Sequence, residues 1–265
     1  MPFVDLPGMR MHFEIDDRDP DRTRDVLVLS HSIGTTMSLW DLQWGALRQR
    51  FRLLRYDARG HGRSAVPPGP YQVQQLAEDV IALLDALSIR RAHFCGLSMG
   101  GVTGLWLGIY APSRIDRIII ANSAAKIGSE ELWDARIQSV QDAGMSSIAD
   151  SVMARWFTAE FRRAEPARTE STRTAFLGTP VLGYANCCGA LRAADLRSQI
   201  ENIKLPALII SGSRDVATTT TEGRFMAQKI SGARYLELDS AHLSNIEQSA
   251  RFNRAVTDFL TGEAG

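Results

Sequence analysis

Three short apolar runs constrain this chain more than any other feature. Val26-Leu27-Val28-Leu29, Ile118-Ile119-Ile120 and Ala207-Leu208-Ile209-Ile210 carry no polar residue at alternate positions. A strand with one face in water alternates; an unbroken apolar run fits a strand covered on both faces, as in a parallel sheet flanked by helices. The segments between the runs supply the cover. Leu76, Val80, Leu83, Leu84 and Leu87 recur at helical spacing and form one stripe. Met99–Tyr110 reads as a second helix, stopped by Pro112. Phe51–Tyr56, Ala92–Cys95 and Ile115–Ala121 read as further strands. Strand and helix therefore alternate from Val26 to about Ala125. The expected fold class is α/β, with a mostly parallel central sheet and helices on both faces.

The ends and the middle depart from that rhythm. Phe3–Leu6 and Met9–Glu14 read as two strands joined by a Pro7-Gly8 turn, and the charged stretch Asp16–Asp25 as a loop. From Lys126 to Ser198 helical patterns dominate, around Leu132–Gln141, Ile148–Phe157 and Thr169–Phe176. The expected organisation is a core (1–125), a helical cap inserted late in the chain (126–198) and the rest of the core (199–265). In that last part a helix over Thr221–Ile230, a strand Arg234–Leu238 and a helix Ile246–Leu260 follow.

Composition removes several function classes. Thirty basic and thirty acidic residues leave a formal charge of zero, without the positive field that nucleic acid binding requires. No stretch approaches 18 uninterrupted apolar residues, so no membrane span is expected. Acids and turn residues follow Met1-Pro2-Phe3-Val4-Asp5, so no signal peptide is expected and the cytoplasm is the default location. Cys95, Cys187 and Cys188 form no disulfide framework and read as small buried side chains. His12, His31, His61, His93 and His242 contain no close ligand pair, so no metal is expected. Gly96–Gly101 and Gly60–Arg63 lack the dinucleotide and P-loop spacings, so no nucleotide cofactor is expected either. The sequence leaves a homo-oligomer open.

The chemistry concentrates in three places. Gly96-Leu97-Ser98-Met99-Gly100 has the form G-x-S-x-G between a short strand and a helix. Such a turn exposes a serine oxygen above a helix N-terminus, which favours developing negative charge. Asp215 follows the strand Leu208–Ser211, and His242 follows the strand ending at Leu238. The order Ser, acid, His suits a nucleophile, an orienting carboxylate and a general base. Asp239 lies too near His242 in the chain to orient it, and Asn122 is not an acid. His31-Ser32-Ile33-Gly34 follows the strand Val26–Leu29, where a loop N–H, that of Ile33, can pair with the N–H of Met99 as an oxyanion hole. His31 itself reads as a loop-packing residue, and His61 lies in the glycine-rich loop after Asp57.

These features resemble the α/β-hydrolase family from about Val26 to the end. The resemblance carries Ser98, Asp215 and His242 over as a catalytic triad, His31–Gly34 as the oxyanion loop, and Tyr56–Ser64 as a mainly structural loop. Family members often have His-Gly where this chain has His31-Ser32. In that departure it resembles the 3-oxoadipate enol-lactonases, which often read His-Ser-Leu-Gly-Thr with a tryptophan shortly after; here His31–Thr35 precedes Trp40. Gly183-Tyr184-Ala185-Asn186-Cys187-Cys188 and the Ala-Leu-Arg-x-x-Asp-Leu pattern from Ala190 to Leu196 extend the likeness into the cap. The resemblance implies cofactor-free hydrolysis of a small lactone bearing a carboxylate, in the β-ketoadipate pathway of aromatic catabolism. An arginine would meet that carboxylate, with Arg136, Arg155, Arg162, Arg163, Arg168, Arg173 and Arg192 as candidates. Trp133, Trp156 and Phe157 are candidate pocket walls, or else pack the cap against itself. The alternatives are a general small-ester or lactone carboxylesterase, a perhydrolase, a hydrolase of C–C bonds in larger ring-fission products, or a ligand-binding protein that keeps the fold without turnover.

Overall fold

Burial on both faces is what the unbroken apolar runs achieve. In the computed structural model, which describes residues 2–18 and 23–262, Leu27, Val28 and Leu29 have no exposed surface, and neither do Ile118, Ile119 and Ile120. Such burial contributes about 1.5–3 kcal/mol per large side chain. The strands are β1 (Phe3–Leu6), β2 (Met9–Ile15), β3 (Val26–Ser30), β4 (Arg52–Tyr56), β5 (Ala92–Leu97), β6 (Ile115–Ala121), β7 (Ala207–Gly212) and β8 (Arg234–Leu238). They form one sheet in the order β1-β2-β4-β3-β5-β6-β7-β8. β1 and β2 run antiparallel at one edge, and from β4 to β8 every pairing is parallel. The polar loop expected over Asp16–Asp25 contains residues 19–22, which lie outside the described residues.

The α-helices of the described residues are α1 (Asp41–Leu47), α2 (Val73–Ala86), α3 (Met99–Tyr110), α4 (Glu130–Ala143), α5 (Ala149–Trp156), α6 (Ala159–Ala164), α7 (Pro166–Leu177), α8 (Val181–Ala193), α9 (Thr220–Lys229), α10 (Ser244–Glu247) and α11 (Ser249–Thr261). α2 packs on α3, while α1 packs on α11. α2 begins at a reciprocal Gln72–Gln75 capping box and buries Leu76, Val80, Leu83 and Leu84, the stripe visible in the sequence. Helices α4 to α8 all fall between β6 and β7.

Four elements differ from the sequence expectation, one of them α6, six residues long with no fully buried side chain to mark it. α8 buries Gly183, Tyr184, Ala185, Cys187, Cys188, Ala190 and Leu191, a set spread around its circumference, so no single stripe marks it. α1 is only seven residues long, too short for a clear period. The last helix is broken at Gln248, whose φ of −122° and ψ of 40° separate α10 from α11. All three cysteines are buried and free.

Register is what positions the site. Ser30 lies beside Gly96, Leu97 beside Ala121, Ala121 beside Ile210 and Gly212 beside Leu238. The carboxyl ends of β3, β5, β6, β7 and β8 are therefore level, and the loops that follow them meet. Ligand sites of open parallel sheets lie at this end of the strands.

Candidate functional site

Ser98 occupies the turn between β5 and α3 with φ 57° and ψ −113°, a backbone region that a side chain disfavours. Its surroundings hold it there. The Ser98 N–H donates to the Ala121 carbonyl at 3.0 Å, and the Ser98 carbonyl accepts from Ser123 Oγ at 2.8 Å and from the Val102 N–H at 3.0 Å. The flanking glycines are steric necessities. A Cβ at Gly96 would collide with the Gly100 carbonyl, and a Cβ at Gly100 with the Ser30 carbonyl.

Asp215 follows β7 and is almost wholly buried. Its Oδ1 accepts from the N–H groups of Ala217 and Thr218 at 2.8 and 3.0 Å. Its Oδ2 accepts from Thr218 Oγ1 at 2.8 Å and Asn122 Nδ2 at 3.0 Å, and lies 2.8 Å from His242 Nδ1. Burial alone would raise the pKa of this carboxyl. The His242 ring and the surrounding donors outweigh burial and hold it below the ordinary carboxylate range. His242 Nδ1 thus faces a fixed anion, which leaves Nε2 as the nitrogen available for a base. No hydrogen bond joins Nε2 to Ser98 Oγ among the described residues; both side chains border one cavity, and such contacts often tighten only on substrate binding. Asp239, the nearer acid in sequence, turns outward to an exposed ion pair with Arg214.

The loop after β3 is held by two neutral histidines. His31 Nδ1 meets the Ser32 carbonyl at 2.7 Å, and its Nε2 accepts from the Ala58 N–H at 2.9 Å. His61 Nε2 accepts from the Gly34 N–H at 2.8 Å, while its Nδ1 meets the Arg59 carbonyl at 3.1 Å. Burial lowers the pKa of both rings, that of His61 to about 3. They brace the two loops against each other. The Ile33 and Met99 N–H groups donate to no protein acceptor among the described residues. Ile33 borders the cavity and Met99 does not.

That cavity has a volume of about 270 Å³ and lies between Ser98 and the helices that follow β6. Trp133 and Trp156 line it. Phe157 does not; it is fully buried and stacks on Phe161 at 5.1 Å, packing α5 against α6. Of the seven candidate arginines, only Arg136 and Arg155 reach the cavity. Neither has a carboxylate partner among the described residues. Arg136 donates to Tyr184 Oη at 3.4 Å and lies over the Trp133 ring. Desolvation and the neighbouring Arg136 charge lower the pKa of Arg155. Arg163, Arg168, Arg173 and Arg192 pair instead with surface acids. Glu222, the one acid lining the cavity, accepts from the Thr219 N–H and hydroxyl in the capping box of α9. A smaller depression of about 140 Å³ between Leu39 and α7 is bordered by Arg168 but by none of Ser98, Asp215, His242, Arg136 and Arg155.

Sequence reasoning missed three supporting residues. Asn122, with φ 44° at the end of β6, donates to Asp215 and to the Ala241 carbonyl and accepts from Ser244. Thr218 completes the carboxylate cage. Glu247 accepts from the Ala241 N–H and the Thr158 N–H, both at 2.6 Å, tying the loop before His242 to the end of α5. A signal was available for Asn122 alone, from its place directly after a buried strand.

Comparison with known proteins follows the same lines. The model for the α/β hydrolase fold matches residues 25–249. The chain is 43% identical over 233 residues to a 3-oxoadipate enol-lactonase of Acinetobacter baylyi, covering 88% of this chain and 87% of that protein. It is 30% identical over 254 residues to a putative carbamate hydrolase of Caulobacter sp., covering 92% and 94%. The crystal structure of an enol-lactonase from Burkholderia xenovorans superposes with a TM-score of 0.96 at 47% identity, covering 98% of this chain and all of that one.

Proposed function

The chain belongs to the α/β hydrolase family, and on that premise we propose that it opens 3-oxoadipate enol-lactone with water to give 3-oxoadipate. The observation that carries this reading is the pair of uncompensated arginines, Arg136 and Arg155, in the cavity bordered by Ser98 and His242. Two guanidinium groups with no carboxylate partner among the described residues form a receptor for a carboxylate on the substrate, because Glu222 is engaged by Thr219 rather than by either arginine. The likeness to two enol-lactonases supports a lactone as the group to be cleaved.

The geometry supports the following chemistry. Ser98 Oγ attacks the lactone carbonyl as His242 Nε2 takes its proton, and Asp215 stabilises the imidazolium through Nδ1. The carbonyl oxygen becomes an oxyanion, held by the Ile33 and Met99 N–H groups. The ring C–O bond then breaks. Its oxygen leaves as an enolate, takes the proton from His242 and ketonises. Water, deprotonated by His242, attacks the acyl-enzyme and releases the second carboxylate together with free Ser98. Trp133 and Trp156 supply apolar walls, and the helices over residues 126–198 act as a cap that carries both arginines.

A second reading is a broader carboxylesterase. Leu132 and Val216, two of the few exposed large apolar side chains, border the same cavity and would tolerate an apolar leaving group. Steady-state hydrolysis of 3-oxoadipate enol-lactone, followed by ultraviolet absorbance, separates the two, with 4-nitrophenyl acetate as comparison. Efficient lactone opening that Ser98→Ala abolishes supports the proposal. Poor lactone opening with good ester turnover replaces it with the second reading.

A further inference from the structure

Ser32 is fully buried, and its hydroxyl has no hydrogen-bond partner among the described residues. Buried hydroxyls normally have one. Other side-chain atoms are also unpartnered, among them Trp40 Nε1, Ser240 Oγ and Asn245 Oδ1, but none belongs to a residue lining the cavity. Among the described residues Ser32 alone combines the two properties. Its backbone is immobilised. The Ser32 carbonyl accepts from Thr35 Oγ1 at 2.8 Å and the Thr35 N–H at 3.2 Å and meets His31 Nδ1, so only rotation about χ1 remains to the hydroxyl. The next N–H along the chain is that of Ile33, itself free.

We propose that the Ser32 hydroxyl is a third oxyanion donor, acting beside the Ile33 and Met99 N–H groups on the carbonyl oxygen of the substrate. The inference rests on the acyl-transfer reading of the site, but not on which ester or lactone is cleaved. A trigonal carbonyl oxygen offers two lone pairs, which the two N–H groups already use. A tetrahedral oxyanion offers three. The third donor is therefore engaged only when the oxyanion forms, which lowers the barrier without tightening ground-state binding. No proton is transferred from Ser32; its O–H stays intact and donates through the collapse of the intermediate. Serine supplies this donor, whereas glycine at the same backbone position would not.

The test is Ser32→Ala and Ser32→Gly, assayed on both the enol-lactone and 4-nitrophenyl acetate. Loss of one oxyanion donor predicts a fall in kcat of about 10²–10³-fold on whichever substrate the enzyme turns over, with KM nearly unchanged. Binding of an arylboronic acid, which forms a tetrahedral adduct on Ser98, should weaken in parallel, while binding of a dicarboxylate product should not. The melting temperature of Ser32→Ala should equal or exceed that of the wild type, because the variant removes an unsatisfied buried hydroxyl. Wild-type kcat in both variants overturns the proposal, as does a kcat loss matched by a loss of melting temperature in each. If the wild type cleaves the ester but not the enol-lactone, the substrate assignment fails while the Ser32 comparison, made on the ester, still decides this inference. If Ser98→Ala keeps wild-type turnover, both fail.

Discussion

Replacing Asp215 by asparagine tests the arrangement at its most determined point. The two carboxylate oxygens do different work. Oδ1 accepts two backbone N–H groups, from Ala217 and Thr218, while Oδ2 faces Asn122 Nδ2, Thr218 Oγ1 and His242 Nδ1. An asparagine must keep its carbonyl oxygen against the two fixed N–H donors, since turning it round would set its NH2 group against both. Its NH2 therefore occupies the Oδ2 position. There it meets the Asn122 amide, another donor, and forces His242 Nδ1 to become an acceptor. The ring proton then moves to Nε2, the position needed to receive the proton of Ser98. The base is lost while the geometry is retained, which in serine proteases is worth about 10⁴ in kcat, or about 5 kcal/mol of barrier. The substitution also removes charge-assisted hydrogen bonds worth about 1.5–3 kcal/mol each. For a domain of this size the melting temperature should fall by about 2–4 °C per kcal/mol lost. Steady-state turnover of 4-nitrophenyl acetate and a thermal melt measure the two effects separately. A kcat for Asp215→Asn within about tenfold of the wild type would refute the assignment of the orienting acid.

Further expectations concern the cavity, the elbow and the bracing loops. Arg136→Met and Arg155→Met should each raise KM for the enol-lactone by about 10–150-fold, the equivalent of one charged hydrogen bond, with much smaller effects on 4-nitrophenyl acetate. Arg155→Met should not lower the melting temperature, because it relieves the apposition of two cations. Gly100→Ala should cost about 1–3 kcal/mol of stability and most of the activity, since its Cβ meets the Ser30 carbonyl; a melt and an ester assay check both. Acid should destabilise the protein through His61, whose pKa drops from 6.5 in the free side chain to about 3 in the fold. Between those values the unfolded chain binds more protons than the folded one, so stability rises with pH. The contribution is complete above pH 6.5 and declines by up to about 1.4 kcal/mol per pH unit as pH falls towards 3. His31 adds in the same direction. Denaturant melts from pH 7 to 4 should show the slope, and His61→Asn should flatten it.

The core and the candidate triad were legible for physical reasons. A strand segment buried on both faces must be apolar throughout, and Leu27–Leu29 of β3, Ile118–Ala121 of β6 and Ala207–Ile210 of β7 are. The elbow needs glycine where Gly96 and Gly100 approach backbone carbonyls, which fixes a local pattern around Ser98. What stayed hidden depends on contacts distant in sequence. α8 packs on several sides at once and leaves no period to read. The seven candidate arginines between residues 126 and 198 look alike as letters; Arg136 and Arg155 differ only in the helix faces that α4 and α5 turn to the cavity. Asn122 could be dismissed as a non-acid, yet it holds Asp215 across 93 positions of the chain. Glu247 links the histidine loop to Thr158 across 89.

The central claim is that Ser98 is acylated by a lactone, and trapping that intermediate tests it most directly. Opening a lactone expels no separate alcohol, so the acyl-enzyme carries the full mass of the substrate, whereas an open-chain ester adds its mass less that of the alcohol. Enzyme turning over the enol-lactone would be quenched in acid within milliseconds and its peptides weighed. The account predicts a gain equal to the whole lactone on the peptide containing Ser98, absent in Ser98→Ala. Turnover without any modified Ser98, or modification at another residue, would contradict it.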